Sequence, residues 1–370
     1  MMSGVERLLV VSPNWLGDAI MALPAVGDLR RAFPDARLIV AARRAVADLF
    51  RMSPAVDEVI AMRWSGRMSA FVDRRVDIEV LRRLQIDASV LLPNSFASAW
   101  LVRRAGIPER WGYRTDMRGR LLSRAIARPA IRVHQAEYYR RLIKGLGFEN
   151  GSLDPDLVVP VHASEQARVT LRESGWDDRR PLVVMAPGAA YGGAKRWPAE
   201  RFADVAMRLV RDHDAQCALI GSAADGATTR YVRALVADEV RGSVIDLAGA
   251  TSLDTLAGVL ALARACVSND SGAMHLAGAV GVPLAALFGP TRERETAPLS
   301  RPDCRVEVLI SHVWCRPCML RECPLDHRCM KRLSSERVLA TVTDLMTNPK
   351  PRTPNPGSRI PNPESRERDE

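Results

Sequence analysis

Short apolar runs of strand length alternate with longer amphipathic stretches along most of the chain. The first half predicts strands at 7–12, 36–42, 58–62 and 87–92 and helices at 18–32, 97–105 and 134–146. The second half repeats this order, with strands at 182–186, 217–220, 244–247, 266–268 and 284–288 and helices at 165–174 and 198–212. Strands that alternate with helices are typical of a parallel sheet with helices on both faces. The pattern therefore predicts an α/β protein of two doubly wound, Rossmann-like domains that face each other across a cleft.

The two halves are separated by residues 150–160, which are rich in Gly, Pro and Asp and show no helix pattern. Such a stretch is typical of a linker, and we place the boundary near Val161. A last helix pattern starts at Ser334, a preferred N-cap residue, and beyond Thr347 the chain is proline-rich and charged. We therefore predict an N-terminal domain over 1–161, a C-terminal domain over 162–333, a final helix over 334–347 and a disordered tail over 348–370.

The composition, with 47% hydrophobic and 26% charged residues, is that of an ordinary globular protein, and 370 residues are enough for two domains. The mostly apolar stretch 273–287 contains His275 and Pro283 and is shorter than the ~20 residues of a membrane-spanning helix. Asn14 and Asp18 interrupt the apolar run at the N-terminus, which does not fit a signal peptide. We therefore expect a cytoplasmic protein.

The net charge is +10, and the excess is concentrated between Trp100 and Gly145, where twelve Lys or Arg residues face three acidic ones. A local field of this sign favours an anionic partner, which could be nucleic acid, anionic lipid or a phosphorylated substrate. A solvated basic face explains the charge equally well. Because no helix-turn-helix, zinc-finger or aromatic-platform motif accompanies the basic stretch, we expect no nucleic-acid partner.

The loop PNWLGD, residues 13–18, stands between the first predicted strand and the first predicted helix. In a parallel sheet such a loop lies at the carboxyl edge, where doubly wound folds bind ligands. Asp18 could present its carboxylate there as a general base, or it could simply cap the helix. The glycine fingerprint G-x-G-x-x-G is absent after this strand, which disfavours a nicotinamide-dependent dehydrogenase or epimerase.

Two further loops in the second half have the character of phosphate sites. The first is PGAAYGGAKRW, residues 187–197, whose glycines can expose backbone N–H groups to phosphate beside the cation of Lys195. It is not a Walker A loop, because Arg196 follows the lysine. The second is Asp270-Ser271-Gly272, which opens a helix with His275 one turn in, so that free N–H groups can bind a diphosphate. The alternatives are a solvated surface turn for the first and a capped helix with a core histidine for the second.

Four cysteines are clustered near the end, in the pattern Cys315-x2-Cys318-x4-Cys323-x5-Cys329. Four thiols at short spacing can hold zinc as a structural metal. The spacing is not that of two paired C-x2-C motifs, and we expect reduced cysteines without a metal.

Four segments in this order resemble the ADP-heptose:lipopolysaccharide heptosyltransferases, glycosyltransferase family 9. They are VSPNWLGDAIMALPA, APGAAYGGAKRWPAERFA, SNDSGAMHLAGAVGVPLAALFGPT and CRPCMLRECPLDHRCMKRLSSERV, and the resemblance covers about residues 7–346. The forms NWLGD and AKRWP and the cysteine segment are more similar to heptosyltransferase II than to heptosyltransferase I. Heptosyltransferases I and III, which use other acceptors, remain the alternatives.

The resemblance implies a GT-B fold, with the acceptor on the N-terminal domain, the donor on the C-terminal domain and a final helix that crosses back. It implies ADP-heptose as the donor, a heptosyl-Kdo2-lipid A acceptor, inversion at the anomeric carbon, no metal cofactor, and contact with the cytoplasmic face of the inner membrane. Asp18 and Lys195 would be catalytic, as general base and as the cation that neutralises the departing diphosphate. The implied donor site consists of Ala190, Tyr191, Lys195, Thr251, Asp270, Ser271, Gly272 and His275.

The chain departs from the family at Ala190, where an acidic residue is common, and at Gly193, where proline is common. These changes affect the side-chain contacts to the donor and leave the phosphate role of Lys195 intact. With this acceptor, the basic stretch gains a function. We expect its arginines to guide the anionic acceptor and to dock the enzyme on anionic lipid, and those arginines are Arg103, Arg104, Arg114, Arg118 and Arg120.

Overall fold

The computed structural model describes residues 4–63 and 71–350. The chain divides into two compact units, Met1–Val158 and Val159–Glu370. The predicted disordered tail lies outside the described residues from position 351 onward. No helix in the described ranges is both long and apolar enough to cross a bilayer.

The first unit contains one sheet of six parallel strands in the order β3-β2-β1-β4-β5-β6. The strands are β1 (Arg7–Val11), β2 (Arg37–Arg43), β3 (Glu58–Met62), β4 (Ala88–Leu91), β5 (Glu109–Tyr113) and β6 (Arg124–Ile126). The helices are α1 (Leu16–Ala32), α2 (Arg44–Arg51), α3 (Phe71–Arg83), α4 (Phe96–Arg104) and α5 (Gln135–Gly145). The central strand β1 pairs with β2 and β4, and its residues Leu8, Leu9 and Val10 are fully buried because helices cover both faces.

The second unit repeats this architecture with the strand order β12-β11-β10-β7-β8-β9, again all parallel. Its strands are β7 (Leu182–Ala186), β8 (Gln216–Leu219), β9 (Val244–Asp246), β10 (Ala265–Asn269), β11 (Leu284–Phe288) and β12 (Val306–Ile310). Its helices are α6 (Val161–Glu173), α7 (Ala199–His213), α8 (Gly226–Leu235), α9 (Asp238–Arg241), α10 (Leu253–Ala261), α11 (Gly272–Val280), α12 (Glu293–Thr296), α13 (Arg328–Lys331) and α14 (Ser335–Thr347). The predicted fold class, two doubly wound α/β units, is confirmed.

The hydrophobic pattern does not predict three strands, β5, β6 and β12. Strand β5 begins with Glu109 and contains Gly112, so it has no continuous apolar run. The carboxylate of Glu109 accepts a hydrogen bond from the indole N–H of Trp111 at 2.8 Å. Strands β6 and β12 lie at the edges of their sheets, and their side chains are mostly half-buried or exposed. These two edge strands therefore lack the continuous apolar run that marks a central strand.

The predicted final helix is present as α14 and packs in the core of the second unit. Val338, Val342 and Leu345 are buried there, where α14 lies against α7, β10 and β11. The Nε of Arg264 donates to the carbonyl of Met346 at 2.6 Å and fastens the end of the helix. The crossing of this helix to the first domain, which the resemblance implies, stays a prediction.

A buried ion pair joins α1 to α5 in the first unit. The carboxylate of Asp28, which is completely buried, lies 3.1 Å from Nε of Arg140 and accepts the N–H of Gly151 at 2.8 Å. Arg140 also donates to the carbonyl of Gly151 at 2.6 Å. The pair therefore holds the chain that leaves α5 against α1.

We expect Arg140→Met to lower the free energy of unfolding by about 2 kcal/mol, because it removes the buried cation of Asp28 and leaves this carboxylate with only the half-exposed Arg31 as an ion-pair partner. Urea unfolding measures this loss. The matched control is Arg141→Met on the same helix, where the partly exposed pair with Glu137 should contribute about 1 kcal/mol or less. Equal losses in the two variants would contradict the assignment of Arg140 as a structural cation.

Candidate active site

Two of the predicted loops leave neighbouring strands of the second sheet at the same edge. Strand β7 ends at Ala186 and continues into the glycine-rich loop, residues 187–197, and β10 ends at Asn269 and continues into α11. Because β7 and β10 pair in parallel at the point where the strand order reverses, both loops lie at the switch point of the sheet. Doubly wound folds bind ligands at this position.

The structure brings together two predicted residues of these loops, Lys195 and Asp270. Nζ of Lys195 lies 2.6 Å from Oδ2 of Asp270, and the two side chains are only 12% and 4% exposed. The hydroxyl of Thr291, on the loop after β11, donates to the same carboxylate oxygen at 2.5 Å. Loops from three adjacent strands thus meet at one carboxylate, which orients the ammonium group of Lys195.

The side chain of Asn269, to which the sequence analysis assigned no role, binds both ends of the glycine-rich loop. Its Nδ2 donates to the carbonyl of Pro187 at 2.8 Å, and its Oδ1 accepts the N–H of Trp197 at 3.1 Å. It therefore bridges the two ends of the loop, and its side chain is completely buried. The available signal was a polar residue at the end of an apolar strand.

Tyr191 and Ala190 lie on the outer part of the same loop. The ring of Tyr191 lies below Lys195, with Nζ 4.7 Å from the ring centroid, a distance at which the ring face attracts a cation. Its hydroxyl donates to the carbonyl of Met319 at 2.7 Å. Ala190 is exposed beside it.

The N-terminus of α11 presents Ser271 and Gly272 next to the Lys195–Asp270 pair. Ser271 is the N-cap and makes no side-chain cap hydrogen bond. The backbone N–H groups of a first turn carry partial positive charge and bind anions. His275, one turn further, is buried with 4% of its surface exposed.

Thr251 is separate from this group. It is half-buried on the loop between β9 and α10, and β9 lies two strands away from β7 in the sheet. At a strand spacing of about 4.8 Å, this separation is about 10 Å along the sheet edge. The loop that carries Thr251 contacts the loop after β8, because the N–H of Gly249 donates to the carbonyl of Gly221 at 2.9 Å.

In the first unit, Asp18 lies in the first turn of α1 and is half-buried, while the N-cap position is occupied by Trp15. The nearby hydroxyl of Tyr139, on α5, has a pKa well above its usual range, because the group is buried and because the charge of Asp18 opposes its ionisation. Asp18 therefore lies at the carboxyl edge of the first sheet, beside a buried and un-ionised tyrosine.

A cavity of about 210 Å³ opens beside the PNWLGD loop and is bordered by Ser12, Asn14, Arg43 and Ser95. A larger cavity of about 530 Å³ in the same unit has three arginines in its wall, and these are Arg44, Arg51 and Arg63. These arginines lie outside the most basic stretch of the chain, so the charge pattern of the sequence did not point to them.

One expectation about the basic stretch was wrong. Arg118 is completely buried, with Nε donating to the carbonyl of Tyr113 at 2.9 Å and Nη1 to the hydroxyl of Ser98 at 3.2 Å. Burial lowers its pKa to about 10. Arg118 holds neighbouring loops together and does not face a ligand or a membrane, whereas the other four are exposed, namely Arg103, Arg104, Arg114 and Arg120.

The four C-terminal cysteines are free thiols. Cys318 is exposed, and Cys329 is buried with a pKa that is raised by burial and by the neighbouring thiols. Within residues 4–63 and 71–350, no three His, Cys, Asp or Glu side chains form a group that could hold a metal ion.

Known proteins are similar to this chain in both sequence and architecture. Residues 74–328 match glycosyltransferase family 9 (heptosyltransferase). The lipopolysaccharide heptosyltransferase 2 of Escherichia coli (strain K12) is 33% identical over 305 residues, which are 80% of this chain and 86% of that protein. The lipooligosaccharide heptosyltransferase 2 of Haemophilus influenzae is 32% identical over 306 residues, with the same coverage.

A solved structure agrees with these relatives. The ADP-heptose lps heptosyltransferase II of E. coli covers 92% of this chain and 98% of its own, with a TM-score of 0.77 and 29% sequence identity. The four motifs that carried the resemblance thus lie in a chain that matches the family over most of its length, in sequence and in fold. This chain belongs to glycosyltransferase family 9, the heptosyltransferases.

Proposed function

We propose that the protein is an inverting glycosyltransferase that moves L-glycero-D-manno-heptose from ADP-heptose to heptosyl-Kdo2-lipid A in the biosynthesis of the lipopolysaccharide core. The observation that carries the proposal is the Lys195–Asp270 pair, set at the switch point of the second sheet beside the N-terminus of α11. The names of the relatives, heptosyltransferase 2 and ADP-heptose lps heptosyltransferase II, support the same donor and reaction.

The second unit supplies the donor chemistry. The largely buried ammonium of Lys195 offers positive charge to the diphosphate. The backbone N–H groups of Ser271 and Gly272, at the N-terminus of α11, add partial positive charge. Charge develops on the diphosphate as its bond to the anomeric carbon breaks, so a fixed cation stabilises the transition state more than the ground state. Asp270 holds the ammonium in place and can accept a sugar hydroxyl with its second oxygen. Thr251 would contact the nucleotide.

The first unit supplies the acceptor chemistry. An acceptor hydroxyl oxygen attacks the anomeric carbon, the bond from that carbon to the phosphate oxygen breaks, and ADP departs. The proton of the hydroxyl passes to the carboxylate of Asp18, which acts as the general base. The arginines beside the two cavities of this unit, Arg43 and Arg63 among them, suit an acceptor that carries carboxylates and phosphates.

Because the acceptor is a lipid, we also propose that the first unit docks on the cytoplasmic face of the inner membrane. Arg114 directly follows the carboxyl end of β5, Arg128 lies two residues after the end of β6, and both are exposed. Met117, on the loop after β5, is 93% exposed, and Phe96 lies next to this loop, since its N–H donates to Asp116 at 2.5 Å. Apolar tips between arginines are typical of surfaces that bind anionic bilayers.

The double variant Arg114→Glu/Arg128→Glu should bind anionic vesicles at least about tenfold more weakly, because each basic residue near an anionic surface contributes about 1 kcal/mol. Co-sedimentation with phosphatidylglycerol vesicles measures the change, and the KM for the acceptor should rise while donor affinity is unchanged. Arg37→Glu, at the opposite edge of the sheet, is the matched control. Unchanged vesicle binding in the double variant would contradict the docking surface.

The function itself is tested by ADP release from ADP-heptose with either Kdo2-lipid A or its heptosylated form as acceptor. Turnover on the heptosylated acceptor alone is the expected result. Turnover on bare Kdo2-lipid A would instead assign the first-heptose reaction, and turnover on a further extended core would assign a branch-heptose reaction. No turnover with any of these acceptors would contradict heptosyl transfer by this protein.

A further inference from the structure

The segment 319–327, which we call the brace, lies within the cysteine-rich stretch and is hydrogen-bonded to the glycine-rich loop. The N–H of Ala194 donates to the carbonyl of Arg321 at 2.9 Å, and the hydroxyl of Tyr191 donates to the carbonyl of Met319 at 2.7 Å. Tyr191 and Ala194, the two residues on the loop side of these bonds, lie close to Lys195 in the sequence. The brace therefore contacts the part of the loop that carries the phosphate-binding cation.

Two side chains of the brace bind the peptide groups directly before Lys195. Oε1 of Glu322 accepts the N–H of Gly193 at 2.9 Å. Nε2 of His327 lies 2.7 Å from the carbonyl oxygen of Ala194, and because a carbonyl only accepts, this nitrogen carries the proton. The side chains of Glu322 and His327 thus bind backbone groups of two adjacent loop residues, Gly193 and Ala194.

The glycines of the loop permit this close approach. A Cβ atom at Gly192 would lie 2.3 Å from the carbonyl oxygen of Arg321, and one at Gly193 would lie 2.6 Å from the carboxylate of Glu322. The first of these contacts involves backbone atoms, which cannot move aside as a side chain can. The loop is therefore built to receive the brace, in addition to any phosphate that it binds.

The brace is itself fastened to the loop that carries Thr291. The N–H of Met319 donates to the carbonyl of Pro290 at 3.0 Å. Nη2 of Arg316, just before the brace, donates to the carbonyl of Thr291 at 3.0 Å, and its side chain is 8% exposed. The brace thus connects the loop after β11, which positions Asp270, with the loop after β7, which carries Lys195.

We propose that Glu322 and His327 are positioning residues that hold the Gly193–Ala194 backbone and thereby keep the ammonium of Lys195 at the place where the donor diphosphate binds. The proposal rests on the proposed function, because it takes Lys195 as the diphosphate cation. A glycine-rich loop loses much conformational freedom when it is ordered, and the brace orders it before the donor arrives. Neither residue touches the reacting atoms.

The first test compares Glu322→Ala with Glu322→Gln. The alanine variant should lower kcat/KM for ADP-heptose about tenfold, because it removes a charged hydrogen-bond acceptor. The glutamine variant keeps an amide oxygen at the same place and should recover most of the activity. Glu173→Ala, an exposed glutamate on α6, is the matched control and should behave as the unchanged enzyme. Equal losses in the alanine and glutamine variants would overturn the proposal.

The second test is a double-mutant cycle with Lys195→Ala. If Glu322 acts through Lys195, its replacement should change kcat/KM less than twofold in the Lys195→Ala background, whereas independent roles would give multiplied losses. His327→Ala should behave in the same way. Multiplied losses would overturn the positioning role.

Amide hydrogen exchange gives a readout that does not depend on turnover. Peptides that cover residues 188–196 should exchange at least tenfold faster in Glu322→Ala than in the unchanged protein, while the melting temperature stays the same. Unchanged exchange there would overturn the brace. If the unchanged protein fails to use ADP-heptose, the proposed function fails by itself, and the exchange experiment still decides whether the brace orders the loop.

Discussion

Replacing Asp18 by asparagine should lower kcat for heptosyl transfer about 10³-fold and leave ADP-heptose binding unchanged. Asparagine has nearly the same shape as aspartate but cannot accept the proton of the acceptor hydroxyl. Because Asp18 lies in the first unit and Lys195 in the second, the donor site is expected to remain intact. Steady-state ADP release measures kcat, and calorimetric titration with ADP-heptose in the absence of acceptor measures donor binding.

A matched control distinguishes a catalytic carboxylate from an exposed one. Asp35→Asn, an exposed aspartate of the same unit, should retain full activity. A variant at position 18 that keeps kcat within a few-fold of the unchanged enzyme would rule out the assignment.

Replacing Lys195 by alanine should lower kcat about 10²- to 10³-fold and also weaken ADP binding. The ammonium is held by Asp270 and lies over the ring of Tyr191 in a largely buried setting, where a fixed charge stabilises a developing anion more strongly than it does in water. Removal leaves the diphosphate with the helix N-terminus alone, and leaves the buried carboxylate of Asp270 without its cation.

The control for this experiment is Lys331→Ala, an exposed lysine on α13, which should retain activity. Asp270→Asn provides the complementary measurement. It keeps the lysine but removes its ion-pair partner, so it should lower kcat less than Lys195→Ala does. Normal turnover in Lys195→Ala would contradict the diphosphate role and, with it, the reason for the brace.

Much of the fold follows from local pattern. The apolar runs at 182–186 and 284–288 coincide with β7 and β11, because a strand covered on both faces must be apolar at almost every position. Helix α6 begins at Val161, four residues before its predicted start, directly after the N-cap residue Pro160. The strands that escaped the pattern are those with a glycine or with half-exposed side chains.

The candidate site was predicted as separate loops, and the residues Asp18, Lys195 and Asp270 were found because each follows a recognisable strand. Their roles remain predictions. Asn269 and Thr291 received no role from the sequence, since no local pattern shows which loop a buried polar side chain will contact. Arg118 was misjudged for the same reason, because a buried arginine and an exposed one are identical in sequence.

By itself, the sequence determined the two α/β units, the loops at the strand ends and the family of the protein. These properties depend on short-range periodicity and on motifs, which can be read along the chain. The tertiary structure alone decided that Lys195 pairs with Asp270, that Arg118 is buried and that the brace holds Gly193 and Ala194. Such contacts join residues as far as 133 positions apart, and they exist only once the strand order has placed their loops at one sheet edge.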